Sequence, residues 1–253
     1  MEISSKADSS FGESLALIES KNGNKIVYVK DGNPIKSFEC EDDEVVKLIP
    51  NVSKERQVLY VSGQSGSGKS YFIMEYVKKY QKLFPKNDVI LFSGLDEDEG
   101  SLDKIKDLKR FKIYEDDFLS EDFQAENFKD SFVLFDDLES INNKFIFKKV
   151  MQIQNTLLTT GRHSNTYVAV SNHSVANGHQ TKLILAESNV IVIFKLGLGN
   201  RVLKYLLDQY LGLDKAQIKR LKSHKGRAVC VVKSYPMLVV HNSGAYVLNH
   251  EED

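Results

Sequence analysis

A glycine-rich loop at residues 63–70 carries the clearest chemistry in the sequence. It reads Gly-Gln-Ser-Gly-Ser-Gly-Lys-Ser and fits the phosphate-binding pattern G-x-x-x-x-G-K-[ST]. In such a loop successive backbone N–H groups form a nest for anionic oxygens, and the following helix adds the positive end of its dipole. We expect the Lys69 amine to bind the β- and γ-phosphates of ATP and the Ser70 hydroxyl to ligate Mg²⁺. The predicted nucleotide contacts are Gly63, Gln64, Ser65, Gly66, Ser67, Gly68, Lys69, Ser70 and Tyr71.

Two consecutive aspartates, Asp136 and Asp137, follow the apolar run 131–135. A continuous apolar run is typical of a parallel strand buried on both faces, and an acid at its end completes the Walker B pattern. We predict that Asp136 ligates Mg²⁺ and that Asp137 polarises the water that attacks the γ-phosphate. The alternative is that these are ordinary surface acids at a strand end.

A polar trio, Ser171-Asn172-His173, follows a further apolar run at 166–170. In P-loop ATPases that insert a strand between the P-loop strand and the Walker B strand, the added strand ends in a polar sensor of the γ-phosphate. Asn172 is our candidate for this role, and His173 is the second. A helix cap or a local turn is the alternative reading of the same residues.

These residues need a scaffold of alternating strands and helices. Strands are predicted at 57–62, 88–93, 131–135, 166–170 and 189–194, with helices after the loop and at 145–159. This alternation predicts an α/β fold with a mostly parallel sheet flanked by helices. Together with the loop at 63–70, it indicates a P-loop NTPase of the RecA-like type. A short strand is also predicted at 111–114.

The two ends of the chain have a different pattern. Residues 1–12 are predicted to be a mobile tail, 14–18, 25–30 and 34–39 to form an N-terminal β-meander, and 45–49 to be a short helix. Helices at 200–211 and 215–222, the second capped by Asp214, precede antiparallel strands at 227–233, 237–241 and 245–249. We therefore divide the chain into residues 1–50 and a P-loop ATPase domain at 51–253, whose C-terminal helices and strands begin at about 199.

Composition restricts the classes of protein that need consideration. The net charge is −1, from 34 basic and 35 acidic residues, which does not indicate a globally basic nucleic-acid binder. The basic run at 215–227 is either a solvated face or a contact for a phosphate backbone. Cys40 and Cys230 lack metal-ligand spacing. With no signal-peptide core and no apolar run of membrane-spanning length, we expect a soluble intracellular protein with no membrane partner.

Taken together, the loop, the Asp136-Asp137 pair, the Gly161-Arg162-His163 turn and the polar end of the next strand resemble one family. It is the genome-packaging ATPases of large eukaryotic DNA viruses and virophages, within the HerA/FtsK superfamily. The resemblance covers residues 57–195. Two features depart from it: the superfamily usually has Gln where this chain has the trio 171–173, and an Arg before the fifth strand, where this chain has Glu187-Ser188.

The resemblance implies a Mg²⁺-dependent ATPase that assembles into a ring, a hexamer or a pentamer, and translocates double-stranded DNA into a preformed capsid. A capsid or portal protein would be a partner, and the virion or the host cytoplasm the location. Arg162, which matches the family motif, or Arg201 would reach the γ-phosphate of a neighbouring subunit. Arg162 is the favoured candidate, although it could instead satisfy carbonyls at a helix end. Alternatives are a helicase or partition motor, a nucleoside or small-molecule kinase, and an assembly protein with negligible turnover.

Overall fold

A computed structural model describes residues 2–4, 12–30, 37–51, 56–95, 100–115, 117–175, 178–196 and 199–248. Within these ranges the strands are β1 Glu2–Ser4, β2 Glu13–Glu19, β3 Lys25–Lys30, β4 Ser37–Glu39, β5 Val45–Leu48, β6 Val58–Ser62, β7 Asp88–Ser93, β8 Leu108–Arg110, β9 Ser131–Asp136, β10 Tyr167–Asn172, β11 Val190–Phe194, β12 Ala228–Val232, β13 Met237–His241 and β14 Gly244–Leu248. The helices are α1 Lys69–Leu83, α2 Lys144–Thr160, α3 His179–Glu187, α4 Asn200–Lys204, continued by a π-helical stretch Tyr205–Tyr210, and α5 Lys215–Ser223.

The larger sheet has the order β4-β14-β13-β12-β11-β6-β10-β9-β7-β8. The six strands from β11 to β8 pair in parallel, and β12, β13, β14 and β4 extend the sheet in antiparallel fashion. The predicted α/β class, with a mostly parallel sheet and C-terminal antiparallel strands, is confirmed. Strand β10 lies between β6 and β9, as the polar-sensor hypothesis requires.

Helices cover both faces of this sheet, which explains the uninterrupted apolar runs in its central strands. One core cluster joins the sheet to α2, α3, α4 and α5 through residues such as Val150, Ile184 and Leu221. The other joins the opposite face to α1 and to the N-terminal strands through residues such as Tyr80 and Val27. No described helix is both long enough and apolar enough to cross a membrane.

The N-terminal strands form a second sheet in the order β1-β3-β2-β5, while β4 joins the edge of the large sheet. Two sequence predictions are wrong here. Residues 2–4 of the predicted tail form β1, and 45–49 is not a helix because Val45–Leu48 pairs with β2 as strand β5. Val46 and Leu48 are buried, whereas Val45 is exposed and Lys47 half-buried, which is strand periodicity. The first part of the predicted strand 34–39 lies outside the described residues.

Three further elements differ from the predictions. The short strand is not at 111–114 but at Leu108–Arg110. The N–H of Phe111 still donates to Leu91, but the chain turns beyond this residue, whose ring stacks on Phe92 and packs against Phe118 and Phe123. Helix α3 was not predicted, since its apolar residues Leu183, Ile184 and Leu185 are consecutive rather than at helical spacing. The predicted helix 200–211 is α-helical only to Lys204 and π-helical beyond it.

Candidate nucleotide-hydrolysis site

The phosphate-binding loop leaves the carboxyl end of β6 and opens α1. Gly66 and Gly68 have positive φ angles of 72° and 109°, a backbone region that side chains disfavour. A Cβ atom at Gly63 would lie 2.5 Å from Cβ of Phe194, so that position also excludes a side chain. The sequence can form this tight loop because glycine occupies the two positions with positive φ, Gly66 and Gly68, and the position that Phe194 of β11 approaches, Gly63.

Lys69, the first residue of α1, has its amine folded back into the loop. Its Nζ donates hydrogen bonds to the carbonyl oxygens of Gly63 (2.8 Å) and Gln64 (3.2 Å), and lies 3.3 Å from Nδ1 of His173. Burial lowers the pKa of Lys69, an effect that Asp137 and the neighbouring acids oppose. The amine is thus held at the mouth of the loop among acceptors that a phosphate oxygen could replace.

Asp136 ends β9 on the face that α1 covers, and it is buried. Burial raises the pKa of this carboxyl, and so does Asp137, whereas the Ser171 hydroxyl and the positive charge of Lys69 lower it. A cavity of about 290 Å³ lies between the loop and this strand end, and Ser70, Asp136, Asp137 and His173 all line it. The phosphate-binding residues and the predicted Walker B acids therefore face one space, which we call the phosphate cavity.

The donor set in the phosphate cavity fits a magnesium ion that also binds a nucleotide. Mg²⁺ usually takes one or two protein oxygens and completes its shell with phosphates and water. Ser70 and Asp136 supply such a pair. The described residues hold no cluster of three or more His, Cys, Asp or Glu side chains suited to a metal. The Ser67 hydroxyl is buried without a hydrogen-bond partner in the described structure. The loop therefore also offers a hydroxyl group that can donate a hydrogen bond to a bound ligand.

Asp137 turns the chain sharply after β9. It has a left-handed backbone (φ 48°), and its carbonyl oxygen accepts hydrogen bonds from the backbone N–H and the hydroxyl of Ser140. Its Oδ1 lies 2.6 Å from Nε2 of His173. Because the Lys69 ammonium can only donate, Nδ1 of His173 accepts from it, and Nε2 carries the proton that is donated to Asp137. One imidazole thus connects the loop lysine to the predicted catalytic acid.

Asn172, our first sensor candidate, points away from this network. It ends β10 opposite Ser62, and its backbone carbonyl accepts from the N–H of Gly63 (3.3 Å). Its side chain interacts with the hydroxyl of Tyr60, which belongs to the core on the α2 face of the sheet. The structure brings together Lys69, Asp136, Asp137 and His173, and leaves the side chain of Asn172 outside the group.

The two arginine candidates lie at different places in the fold. Arg162 is exposed in the turn that follows α2, next to Arg56 and before the amino end of β10. This is the edge of the sheet opposite the loop. Arg201, also exposed, lies in α4, which follows the carboxyl end of β11. Neither takes part in the group of side chains around the phosphate cavity, so a role for either in catalysis stays a prediction about a neighbouring subunit.

Sheet order, glycine-rich loop and the position of the cavity define the chain as a P-loop NTPase of mixed α/β architecture. No protein-family model matches the sequence. It is 38% identical over 196 residues to "Uncharacterized protein V3" of Sputnik virophage, a match that covers 76% of this chain and 78% of the relative. The chain therefore belongs to the family of that virophage protein.

Comparison with solved structures places the fold more widely. B204, the DNA-packaging ATPase from Sulfolobus turreted icosahedral virus, superposes with a TM-score of 0.51 at 14% identity, over 77% of this chain and 98% of B204. The pCW3 conjugation coupling protein TcpA, solved with ATPγS, gives a TM-score of 0.50 at 12% identity, over 94% of this chain and 77% of TcpA. At such identities the likeness establishes a shared fold.

Proposed function

We propose that this protein is an ATP-hydrolysing motor that translocates double-stranded DNA and packages a viral genome into a capsid. The observation that carries ATP hydrolysis is the convergence of Lys69, Asp136, Asp137 and His173 on the phosphate cavity. Membership of a virophage family and a fold shared with a DNA-packaging ATPase and a conjugation coupling protein support DNA as the cargo.

Each residue of the site has a distinct task in this proposal. The loop amides 64–70 and Lys69 bind the β- and γ-phosphates, so Lys69 exchanges its two carbonyl acceptors for phosphate oxygens. Ser70 and Asp136 hold Mg²⁺, which supplies charge neutralisation of the phosphates. Asp137 orients the attacking water and accepts its proton, while His173 fixes the carboxylate. Asn172 remains a sensor candidate that would act through Tyr60 or through its backbone contact with Gly63.

The assembly follows from the family resemblance. We propose a homo-oligomeric ring, a hexamer or a pentamer, in which Arg162 or Arg201 of one subunit reaches the γ-phosphate of the next. The basic run 215–227 offers candidate contacts for a DNA backbone. A capsid or portal protein would anchor the ring, and the virion or a viral factory in the host cytoplasm would be its location.

The first test is Mg²⁺-dependent ATP turnover by the full chain, with and without duplex DNA. Lys69→Ala should lower kcat by at least about 100-fold, because it removes a preorganised charge from the phosphates. The matched control is Lys82→Ala, an exposed lysine on the same helix, which should leave kcat unchanged. Thermal unfolding should show that both variants fold.

Three outcomes would contradict the proposal. Turnover that survives Lys69→Ala would place hydrolysis elsewhere. Tight binding of ATP without its hydrolysis would favour an assembly protein. A phosphorylated small molecule among the products would favour a kinase. Electron microscopy with a non-hydrolysable ATP analogue and DNA would test the ring and show which arginine crosses the subunit boundary.

A further inference from the structure

A second cavity, of about 400 Å³, adjoins the phosphate cavity on the other side of the first turn of α1. It lies between α1, the N-terminal strand β5 and the strands β12 and β13, and we call it the side cavity. Gly68 and Tyr71 line both cavities. A ligand held at the loop by phosphates can therefore continue directly into this second space.

The walls of the side cavity suit a flat, mostly apolar group. Phe72 and Phe194 meet edge to face with ring centroids 6.3 Å apart, and both line the cavity together with Cys230 and Val240. Tyr71, 57% exposed, stands at the boundary between the two cavities. Ligand sites typically have this composition, a predominantly apolar and aromatic lining in a space of roughly 300–1,000 Å³.

A few polar groups border the apolar lining. Arg227, His241 and Asn242 line the cavity at the ends of β12 and β13. The His241 ring is stacked on His224 with centroids 3.8 Å apart, which fixes its plane. Burial, followed by the nearby charges of His224, Lys195 and Arg220, lowers the pKa of His241 to about 4, so the ring is neutral near pH 7 and can both donate and accept.

We propose that the side cavity binds the nucleobase of the nucleotide whose phosphates the loop holds, with β5 of the N-terminal sheet as one wall of the subsite. The inference rests on the proposed ATP binding at residues 63–70. The new element is that nucleotide affinity also depends on the N-terminal sheet and the C-terminal strands. Both lie outside the loop at 63–70 and the Asp136-Asp137 pair. The base packs between Tyr71 and the aromatic pair, and the polar groups at the strand ends contact its edge.

The test compares ATP with inorganic tripolyphosphate, which carries the phosphates without a base. Dissociation constants of both Mg²⁺ complexes are measured by calorimetry on the full chain and on Ala228→Phe, which fills the side cavity from β12. The control is Val232→Phe, which introduces the same side chain, with a smaller enlargement, at the other end of the same strand, where the residue packs against the same core cluster. Thermal unfolding reports whether each variant folds.

We expect the unaltered chain to bind ATP at least about tenfold more tightly than tripolyphosphate. Ala228→Phe should weaken ATP to the level of tripolyphosphate and change tripolyphosphate by less than about twofold, whereas Val232→Phe should change neither. If Ala228→Phe fails to fold, Tyr71→Ala replaces it with the same expectation, since it removes an exposed ring from the cavity boundary.

The possible failures are distinguishable. Equal affinity of the unaltered chain for ATP and tripolyphosphate would overturn the base subsite and leave the phosphate site intact. So would an ATP affinity of Ala228→Phe equal to that of the unaltered chain. A change in sedimentation of Ala228→Phe with unchanged ATP affinity would show that another copy of the chain occupies the cavity, which also overturns the subsite. No binding of either ligand by the unaltered chain would overturn the proposed function and this inference with it.

Discussion

His173 is the residue whose contacts most sharpen the interpretation of the site. Its ring lies 3.3 Å from Nζ of Lys69 through one nitrogen and 2.6 Å from Oδ1 of Asp137 through the other. A carboxylate that must orient a water within tenths of an ångström needs such a support, because small displacements of a catalytic group are costly. The superfamily that the sequence resembles usually has glutamine close to this position, and both glutamine and histidine side chains can donate to a carboxylate.

Replacing His173 should separate positioning from nucleotide binding. We expect His173→Ala to lower kcat by about 10- to 100-fold, since Asp137 loses its support, with the dissociation constant of ATP changed by less than about threefold. His173→Gln, which keeps a donor, should recover part of the rate. Steady-state turnover and equilibrium binding on the same preparations measure both quantities.

Asn172→Ala is the informative comparison for that experiment. A sensor role for Asn172 predicts that this variant loses more turnover than His173→Ala. The contact of its side chain with Tyr60, on the opposite face of the sheet from Lys69, predicts the reverse. Equal turnover in His173→Ala and the unaltered chain would show that Asp137 is held in place without the imidazole.

For individual residues, the sequence predicted which strand ends line the candidate site. It did not predict which side chains at those strand ends contact each other. Strand alternation places Ser171 on the α1 face of the sheet and Asn172 on the opposite face. His173 lies beyond the end of β10, where alternation no longer applies, so its direction depends on the turn and on the position of Asp137. Those are tertiary features that a single sequence does not display.

The end of α2 depends on one arginine that no motif identifies. The guanidinium of Arg56 donates to the carbonyl oxygens of Leu157 (2.5 Å) and Leu158 (2.6 Å), and burial lowers its pKa. Carbonyl groups in the last turn of a helix lack their usual partners within the helix. The Leu157 carbonyl also accepts from the N–H of Gly161 (3.1 Å), so Arg56 adds a second donor there and supplies a donor to Leu158. A Cβ at Gly161 would approach Nη1 of Arg56 to 2.5 Å, so glycine here leaves room for the arginine.

Arg56→Met should lower the free energy of unfolding by about 1–2 kcal/mol, because it removes a charged donor from the carbonyls of Leu157 and Leu158 in a half-buried environment. Leu157 then keeps only the N–H of Gly161. Arg56→Lys should recover only part of this, since one ammonium cannot reproduce the fork that serves two carbonyls. Urea unfolding monitored by circular dichroism measures the difference. Arg201→Met, which removes an exposed arginine, should change the stability by less than about 0.5 kcal/mol. A loss of similar size in Arg201→Met would show that the Arg56 contacts contribute nothing specific.

Five strands of the parallel sheet, all except β8, were predictable because each combines an apolar run with a recognisable boundary, as β9 does with Asp136-Asp137. The elements that were predicted wrongly are short or lack a periodic pattern. Strand β5 has only four residues, and pairing with β2 decides its structure. Helix α3 has three consecutive apolar residues, so its helical form depends on packing against the sheet rather than on its own sequence pattern.

For the molecule as a whole, the N-terminal sheet is attached to the helix that carries the phosphate-binding loop. Lys47 of β5 bridges Glu19 of β2 (2.6 Å) and Glu75 of α1 (3.3 Å), and Lys79 of α1 lies 3.6 Å from Glu19. Apolar residues of both sheets and of α1 share one core cluster. The N-terminal sheet is therefore linked to α1 by packing and by ion pairs, and the predicted domain boundary near residue 50 crosses this contact.

The ion pairs of Lys47 should make stability depend on acidic pH in a specific direction. Burial by itself raises the pKa values of Glu19 and Glu75, but hydrogen bonds from lysines, Lys47 among them, outweigh it, so both lie below the ordinary value of 4.5. Acids whose pKa is lower in the folded state stabilise the fold above the unfolded value, and this contribution is lost as the pH falls through the folded value.

Lys47→Met keeps the aliphatic stem and removes the charge, so it isolates this contribution. Between pH 7 and about pH 3.5 we expect the unaltered chain to lose roughly 1 kcal/mol more of unfolding free energy than the variant, a modest figure because the groups are partly exposed. Urea unfolding at constant ionic strength measures it, and 1 M salt should shrink the difference. The control is Lys109→Met, which breaks the exposed pair with Asp88. If Lys47→Met and the unaltered chain lose stability in parallel, packing alone holds the N-terminal sheet on α1.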